Sequence, residues 1–187
     1  MVLLKKAISA KYVFKPHSKK YSRLFSKEKR FISNLLASIE KKEIHHIGST
    51  SVSKLGGKGI IDIIVVVEKN NIKDAKHFLF DGDFVYHHTM RRKRSFHYKY
   101  YVNKSNEPVL IHLHLTYFGS GEIEKALAFR NYLRAFPKVR KQYEEVKKEA
   151  SARHSKNGKK YVAFKLSYVE STMKDALDWY YKKNLVK

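Results

Sequence analysis

The sequence predicts an α+β fold: a mixed β-sheet flanked by helices, with further helices packed on it from the C-terminal side. Three observations carry that prediction. The run Ile60 to Val67 holds seven Ile and Val residues interrupted only by Asp62, as in a strand covered on both faces. Residues 109–115 (VLIHLHL) alternate, placing His112 and His114 on one face and Ile111, Leu113 and Leu115 on the other. Beyond residue 120, apolar positions recur at helical spacing through three successive segments. One domain over residues 1–187 is expected, with an α/β core at 1–118 and a helical part at 119–187.

Taken in order, residues 1–42 carry 12 Lys and Arg against Glu28 and Glu40. After Pro16, a helical pattern sets Tyr21, Leu24, Phe25, Phe31, Ile32, Leu35, Leu36 and Ile39 on an apolar stripe whose opposite face is basic. A short strand should end at Ile47, followed by a Gly48-Ser49-Thr50 turn and a Gly- and Lys-rich connection to the 60–67 strand. Residues 70–80 read as a helix with Ile72, Ala75, Phe78 and Leu79 inward, closed by Asp81-Gly82-Asp83. Residues 84–88 and 96–102 read as an antiparallel pair. They are joined through the basic run Arg91-Arg92-Lys93-Arg94, and alternation sets Phe96, Tyr98 and Tyr100 on one face.

A helix capped at Ser120 should run to Phe136 on the stripe Ala126, Phe129, Leu133 and Phe136. Pro137 suits the first turn of the next helix, with Tyr143, Val146 and Ala150 inward. A polar linker at 151–160 then precedes a last helix from Tyr161 to Lys183, its stripe bordered by Lys165.

Composition narrows the function classes. With 43% hydrophobic residues the chain can bury a core. Zero cysteines exclude disulfides, thiol catalysis and cysteine-ligated metal, and fit a cytoplasmic protein. No apolar run approaches the ~20 residues that span a bilayer, and Met1–Ala10 is too short in its apolar part for a secretory signal. The net charge of +23 points to an anionic partner: a nucleotide, a coenzyme A-like molecule or RNA.

The candidate chemistry gathers around HIGSTSVSKLGGKGIIDIIV, residues 46–65. Asp62 in so apolar a run is costly to bury unless a metal, a base or a ligand pairs with it. The Gly48-Ser49-Thr50 turn offers backbone N–H groups and hydroxyls to a phosphate. His112 and His114 can share a metal ion or flank a phosphate. Arg130 and Arg134, four apart on one helix, could clamp an anion. Arg91, Arg92, Lys93 and Arg94 beside Tyr98 could instead grip a nucleic-acid backbone and stack a base.

These residues also resemble the GrpB family, whose members read HxGSTxVPGLxxKPxIDI over this region. The likeness resumes at VLIHLHL (109–115), FRNYLR (129–134) and YEEVK (143–147) and covers about three quarters of the chain in the same order. What the resemblance implies is a nucleotidyltransferase-like fold, in a family whose domain is sometimes fused to dephospho-coenzyme A kinase. It further implies a Gly-Ser loop for a nucleoside triphosphate substrate, and one divalent metal ion (Mg, Mn or Zn) held by Asp62, His112 and His114. Lys58 would neutralise phosphate.

The usual nucleotidyltransferase has a second acid two residues after the first, and that position is Ile64. An Asp with two His is a mixed set suited to softer ions than Mg. The chain also departs from the family pattern at Ser53-Lys54, Gly59 and Asn131. Two functions are therefore expected as alternatives: nucleotidyl transfer, or RNA or nucleotide binding without catalysis through the basic surface.

Overall fold

A computed structural model describes residues 12–90 and 93–185. Its strands are β1 (Lys42–Ile47), β2 (Ile61–Val67), β3 (Val85–Met90), β4 (Arg94–Val102) and β5 (Pro108–Tyr117). They form one mixed sheet in the order β1-β2-β5-β4-β3. β2 is antiparallel to β1 and parallel to β5, while β5, β4 and β3 form an antiparallel ladder. The helices are α1 (Lys20–Leu35), α2 (Ile72–Asp81), α3 (Glu122–Ala135), α4 (Pro137–His154) and α5 (Gly158–Leu185). The α+β class and the expected strands are thus present, and the 84–102 pair is the β3–β4 hairpin, with a bulge between Tyr86 and His88.

The period of two decides what each face of the sheet carries. Ile61, Ile63, Val65 and Val67 of β2 join Ile111, Leu113 and Leu115 of β5 on one face, which Tyr21 and Ile32 of α1 and Ala75 and Leu79 of α2 close. On the other face Ile64, Val66 and Ile47 pack under Ile123, Ala126 and Leu127 of α3. That cover reaches only the β1–β2 side. Farther along, cross-strand partners put Asp62, His112 and Tyr98 in one row and Ile64, His114 and Phe96 in the next. Polar and aromatic groups therefore occupy the part of the sheet that α3 leaves open.

Several helix boundaries differ from expectation. α1 stops at Leu35, and Leu36 and Ile39 are buried in the turn beyond it. The polar linker shrinks because α4 continues to His154 and α5 begins at Gly158, where Asn157 Oδ1 accepts the Lys160 N–H at 3.0 Å. In α3 the fully buried residues are Ile123, Ala128 and Leu133, while Phe136 lies exposed past the helix end. In α4 the buried positions include Lys147, next to the Val146 expected there. Among the described residues no helix is long and apolar enough to cross a membrane. Met1–Ala10 lies outside the described residues.

Candidate functional site

The site begins where β1 ends. Ile47 is the register partner of Asp62, and the chain turns at Gly48 with φ +67°. Only glycine adopts that conformation at low cost. A Cβ at Gly48 would also overlap Asp62 Oδ2 and lie 2.8 Å from its Cγ, so bare backbone rests on the carboxylate. A single 3-10 turn, Ser49–Ser51, follows, tied by Ser51 Oγ donating to Gly48 O at 2.7 Å.

Thr50 does not face outward as a phosphate contact. Its hydroxyl donates to Ile60 O at 2.9 Å and lies 3.0 Å from His46 Nε2. With its only proton given to Ile60, that hydroxyl must accept from His46 Nε2–H. Burial pushes the His46 imidazole down to about 4, with Asp62 opposing and Arg134 assisting, so the ring is neutral and carries the proton on Nε2. His46 also stacks on Phe25, ring centres 4.5 Å apart. Thr50 and His46 therefore brace the bend to the start of β2. Ser49 stays half-exposed, its Oγ against Gly57.

Asp62 meets His112 across the parallel pair, Oδ1 to Nδ1 3.3 Å. Burial alone would raise the Asp62 carboxyl, but the bond to His112 and the positive field, to which Lys58 contributes, hold it below the usual range. It is therefore an ionised acid at neutral pH. His114 lies two register pairs farther along, beside Ile64, about 6.6 Å along the strand from His112. Burial, then Arg94, pushes its imidazole down to about 3, and its Nδ1 is buried without a partner.

The expected ligand trio does not close into a cage. Among the described residues no three His, Asp or Glu side chains are grouped to hold a metal ion. The register sets His112 against Asp62, while His114, two residues along on the same face, packs its ring against Phe96. As they stand, these side chains form no three-ligand set for the expected ion.

Lysines gather around the carboxylate instead. Lys58, in the loop before β2, lies over the rings of Tyr12 and Tyr161, at 5.2 and 5.5 Å. Lys147 of α4 is buried, its Nζ donating to Gly56 O and placed 3.5 Å from where a Cβ on Gly57 would be. Burial, then Lys165, brings Lys147 down to about 7, although Glu144 and Asp62 oppose the shift. Lys165 of α5 sits over Tyr161 at 4.8 Å and is brought down to about 8 by burial and by Lys58, against Asp62. Three ammonium groups thus share one field with the Asp62 carboxylate. Lys147 and Lys165 were missed as site residues, although Lys147 closes the YEEVK motif. No periodicity distinguishes a lysine facing a carboxylate from one facing water.

Arg130 and Arg134, expected as an anion clamp, both reach the bend. Arg130 Nη1 donates to His46 O at 3.0 Å, and its Nε to Asn131 Oδ1 at 3.0 Å. Arg134 donates through Nη2 and Nε to Ser51 O, at 2.6 and 3.2 Å. Each guanidinium therefore grips a carbonyl at one end of the bend. Burial, then Arg134, brings the Arg130 guanidinium down to about 10.

The basic hairpin set divides. Arg91 and Arg92 lie outside the described residues. Lys93 is exposed at the turn. Arg94 points into a groove, its Nη1 3.4 Å from Glu122 Oε2 and its Nη2 donating to Met90 Sδ at 3.2 Å. Tyr98 stands opposite His112 on the sheet face and so belongs to the Asp62 site rather than to a solvated tip.

Comparison with known proteins agrees with this architecture. The family model described as GrpB protein matches residues 11–175. UPF0157 protein YqkA of Bacillus subtilis is 29% identical over 164 residues, 87% of this chain, and the chain spans 46% of YqkA's length. The glutamate-rich protein GrpB of Alkalihalophilus pseudofirmus is 28% identical over 85% of this chain and 92% of its own. UPF0157 protein BH1888 of Halalkalibacterium halodurans is 31% identical over 84% of this chain and 78% of its own. Among solved structures, the conserved protein GrpB of Enterococcus faecalis superposes with TM-score 0.76 and 28% identity over 90% of this chain and 99% of that one. A structure of the RNA terminal uridylyl transferase Cid1 superposes with TM-score 0.51 and 13% identity over 74% of this chain and 42% of that one, a likeness of fold.

Proposed function

The chain belongs to the GrpB family, and from that premise we propose that it binds a phosphate ester of the nucleoside triphosphate kind at the Gly48 bend and transfers its nucleotidyl group. The supporting observation is that Lys58, Lys147 and Lys165 all lie in the electrostatic field of Asp62, next to a bend where Ser49 is half-exposed. Two of these lysines have depressed pKa values because they are buried near one another. A polyanion relieves that repulsion, so its binding is favoured beyond simple contact.

In the transfer step an acceptor oxygen attacks the α-phosphorus, the bond to the bridging oxygen of the β-phosphate breaks, and pyrophosphate leaves. The acceptor's proton passes to Asp62, which His112 orients. The lysines hold the charge that builds on the departing phosphates.

The second reading is nucleotide or RNA binding without turnover. The buried Ile64, standing where a second acid would be, favours it. Calorimetric titration with ATP, UTP and inorganic tripolyphosphate tests binding. Release of labelled pyrophosphate, measured without metal and with added Mg, Mn or Zn, tests transfer. Binding with turnover that Asp62→Asn removes supports the enzyme; binding with no turnover under any ion leaves the binding module. Absence of tripolyphosphate binding at low salt defeats both forms of the anion site.

A further inference from the structure

We propose that the hollow between the end of β1, the strand ends Met90 and Arg94, and helices α3 and α5 receives the nucleobase of the ligand, an inference that rests on the anion site above. The hollow measures about 510 Å³ and includes Gly48 in its lining. Gly48 is the residue whose backbone lies on Asp62. The hollow and the anion site therefore share a wall, and no side chain stands between them at that point.

Helix α5 links the two places. Lys165, Val169 and Met173 are spaced by four on one stripe. Lys165 sits in the field of Asp62, whereas Val169 and Met173 line the hollow. At 1.5 Å rise per residue, Lys165 and Met173 are about 12 Å apart along the axis, enough to set a phosphate and a base at opposite ends of one molecule.

The lining also matches a heterocycle. Ile47, Phe129 and Val169 give apolar walls, and Met90 and Met173 supply polarisable thioethers suited to an aromatic face. The Arg94 Nε is buried with no acceptor, although the same guanidinium reaches Glu122 and Met90 through its other nitrogens. Arg94 also lines the hollow, so its guanidinium stands at a wall where the polar edge of a ring would lie while the apolar walls take the ring's flat face, a pairing that a plain acyl chain does not offer.

The experiment compares tripolyphosphate with ATP, GTP, CTP and UTP on wild type, Met173→Trp and Arg94→Met. Tripolyphosphate affinity serves as the internal check that each variant is folded. The expected result is that at least one nucleotide binds wild type tenfold or more tightly than tripolyphosphate. Met173→Trp erases that preference, Arg94→Met reduces it severalfold, and tripolyphosphate binding is kept in both. Equal affinities for tripolyphosphate and every nucleotide in wild type, or a preference that survives Met173→Trp, overturns the base pocket while the anion site stands. Failure of tripolyphosphate itself to bind wild type removes the anion site and this inference together.

Discussion

Two groups of cations lie near the same bend, and they do different work, although Lys147 of the second group also donates to a loop carbonyl, Gly56 O. Arg130 and Arg134 direct part of their guanidiniums onto the carbonyls of His46 and Ser51, so some of their donors are engaged by the protein's own backbone. Lys58, Lys147 and Lys165 share the electrostatic field of one carboxylate, and burial makes two of them easier to deprotonate. Arginine's planar fork suits fixed carbonyls, while a lysine's pKa yields to its surroundings. An excess of positive charge thus divides into a part that shapes the loop and a part available to a ligand.

The largest expected effect breaks that division at the lysines. Lys147→Met with Lys165→Met should weaken tripolyphosphate binding at least a hundredfold, about 2.8 kcal/mol, with only a modest fall in melting temperature at pH 7 from the lost Lys147 bond to Gly56 O. The pH dependence of stability sharpens the point. Lys147 titrates near 7 in the fold and near its ordinary value when unfolded, so the unfolded chain binds the extra proton between those limits. Wild-type stability should therefore rise with pH from about 7 upward, and the double variant should lose that slope. A marked fall in melting temperature with binding intact would make Lys147 a loop clamp like Arg134.

Arg134→Met is the converse. It removes two charge-assisted bonds to Ser51 O and should cost about 2 kcal/mol of stability by denaturant titration. Tripolyphosphate affinity should change less than threefold. A large affinity loss without destabilisation would return Arg134 to the ligand.

What could be read in the sequence follows from period and register. A period of two separated His112 and His114 from Ile111, Leu113 and Leu115, and the apolar run around Asp62 fixed its strand. The motif spacing located the bend. The roles of the helix residues were not legible, because neighbouring helix positions point about 100° apart and a small error in phase exchanges Val146 for Lys147. Thr50, Arg130 and Arg134 were read as ligand contacts because hydroxyls and guanidiniums serve backbone and phosphate alike. Only the positions of Ile60 O, His46 O and Ser51 O decide between them. Register likewise sets Asp62 against His112 and His114 beside Ile64, a relation between strands that the pattern of one strand does not show.

Ligand affinity should itself depend on pH, since an anion raises the pKa of both buried lysines. Binding then takes up protons. Affinity is greatest where both lysines are charged and declines as pH rises through about 7 and then about 8. Between pH 6.5 and 8.5 the fall should approach tenfold, about 1.4 kcal/mol. Calorimetry in two buffers of different ionisation enthalpy reads the proton uptake directly. An affinity independent of pH across that range would show that neither lysine faces the anion.

The smallest effect concerns the brace between the two groups of cations. Thr50→Val keeps shape and volume but leaves Ile60 O without its donor and His46 Nε2–H without its acceptor. The cost should be about 1 kcal/mol, read as a lower midpoint in urea. Thr50→Ser restores the hydroxyl and should recover most of it. Because Thr50 faces the protein interior, tripolyphosphate affinity should stay within twofold in both variants once folding is allowed for. An affinity that tracks the hydroxyl rather than the stability would place Thr50 in the ligand site after all, and would move the anion to the arginine side of the bend.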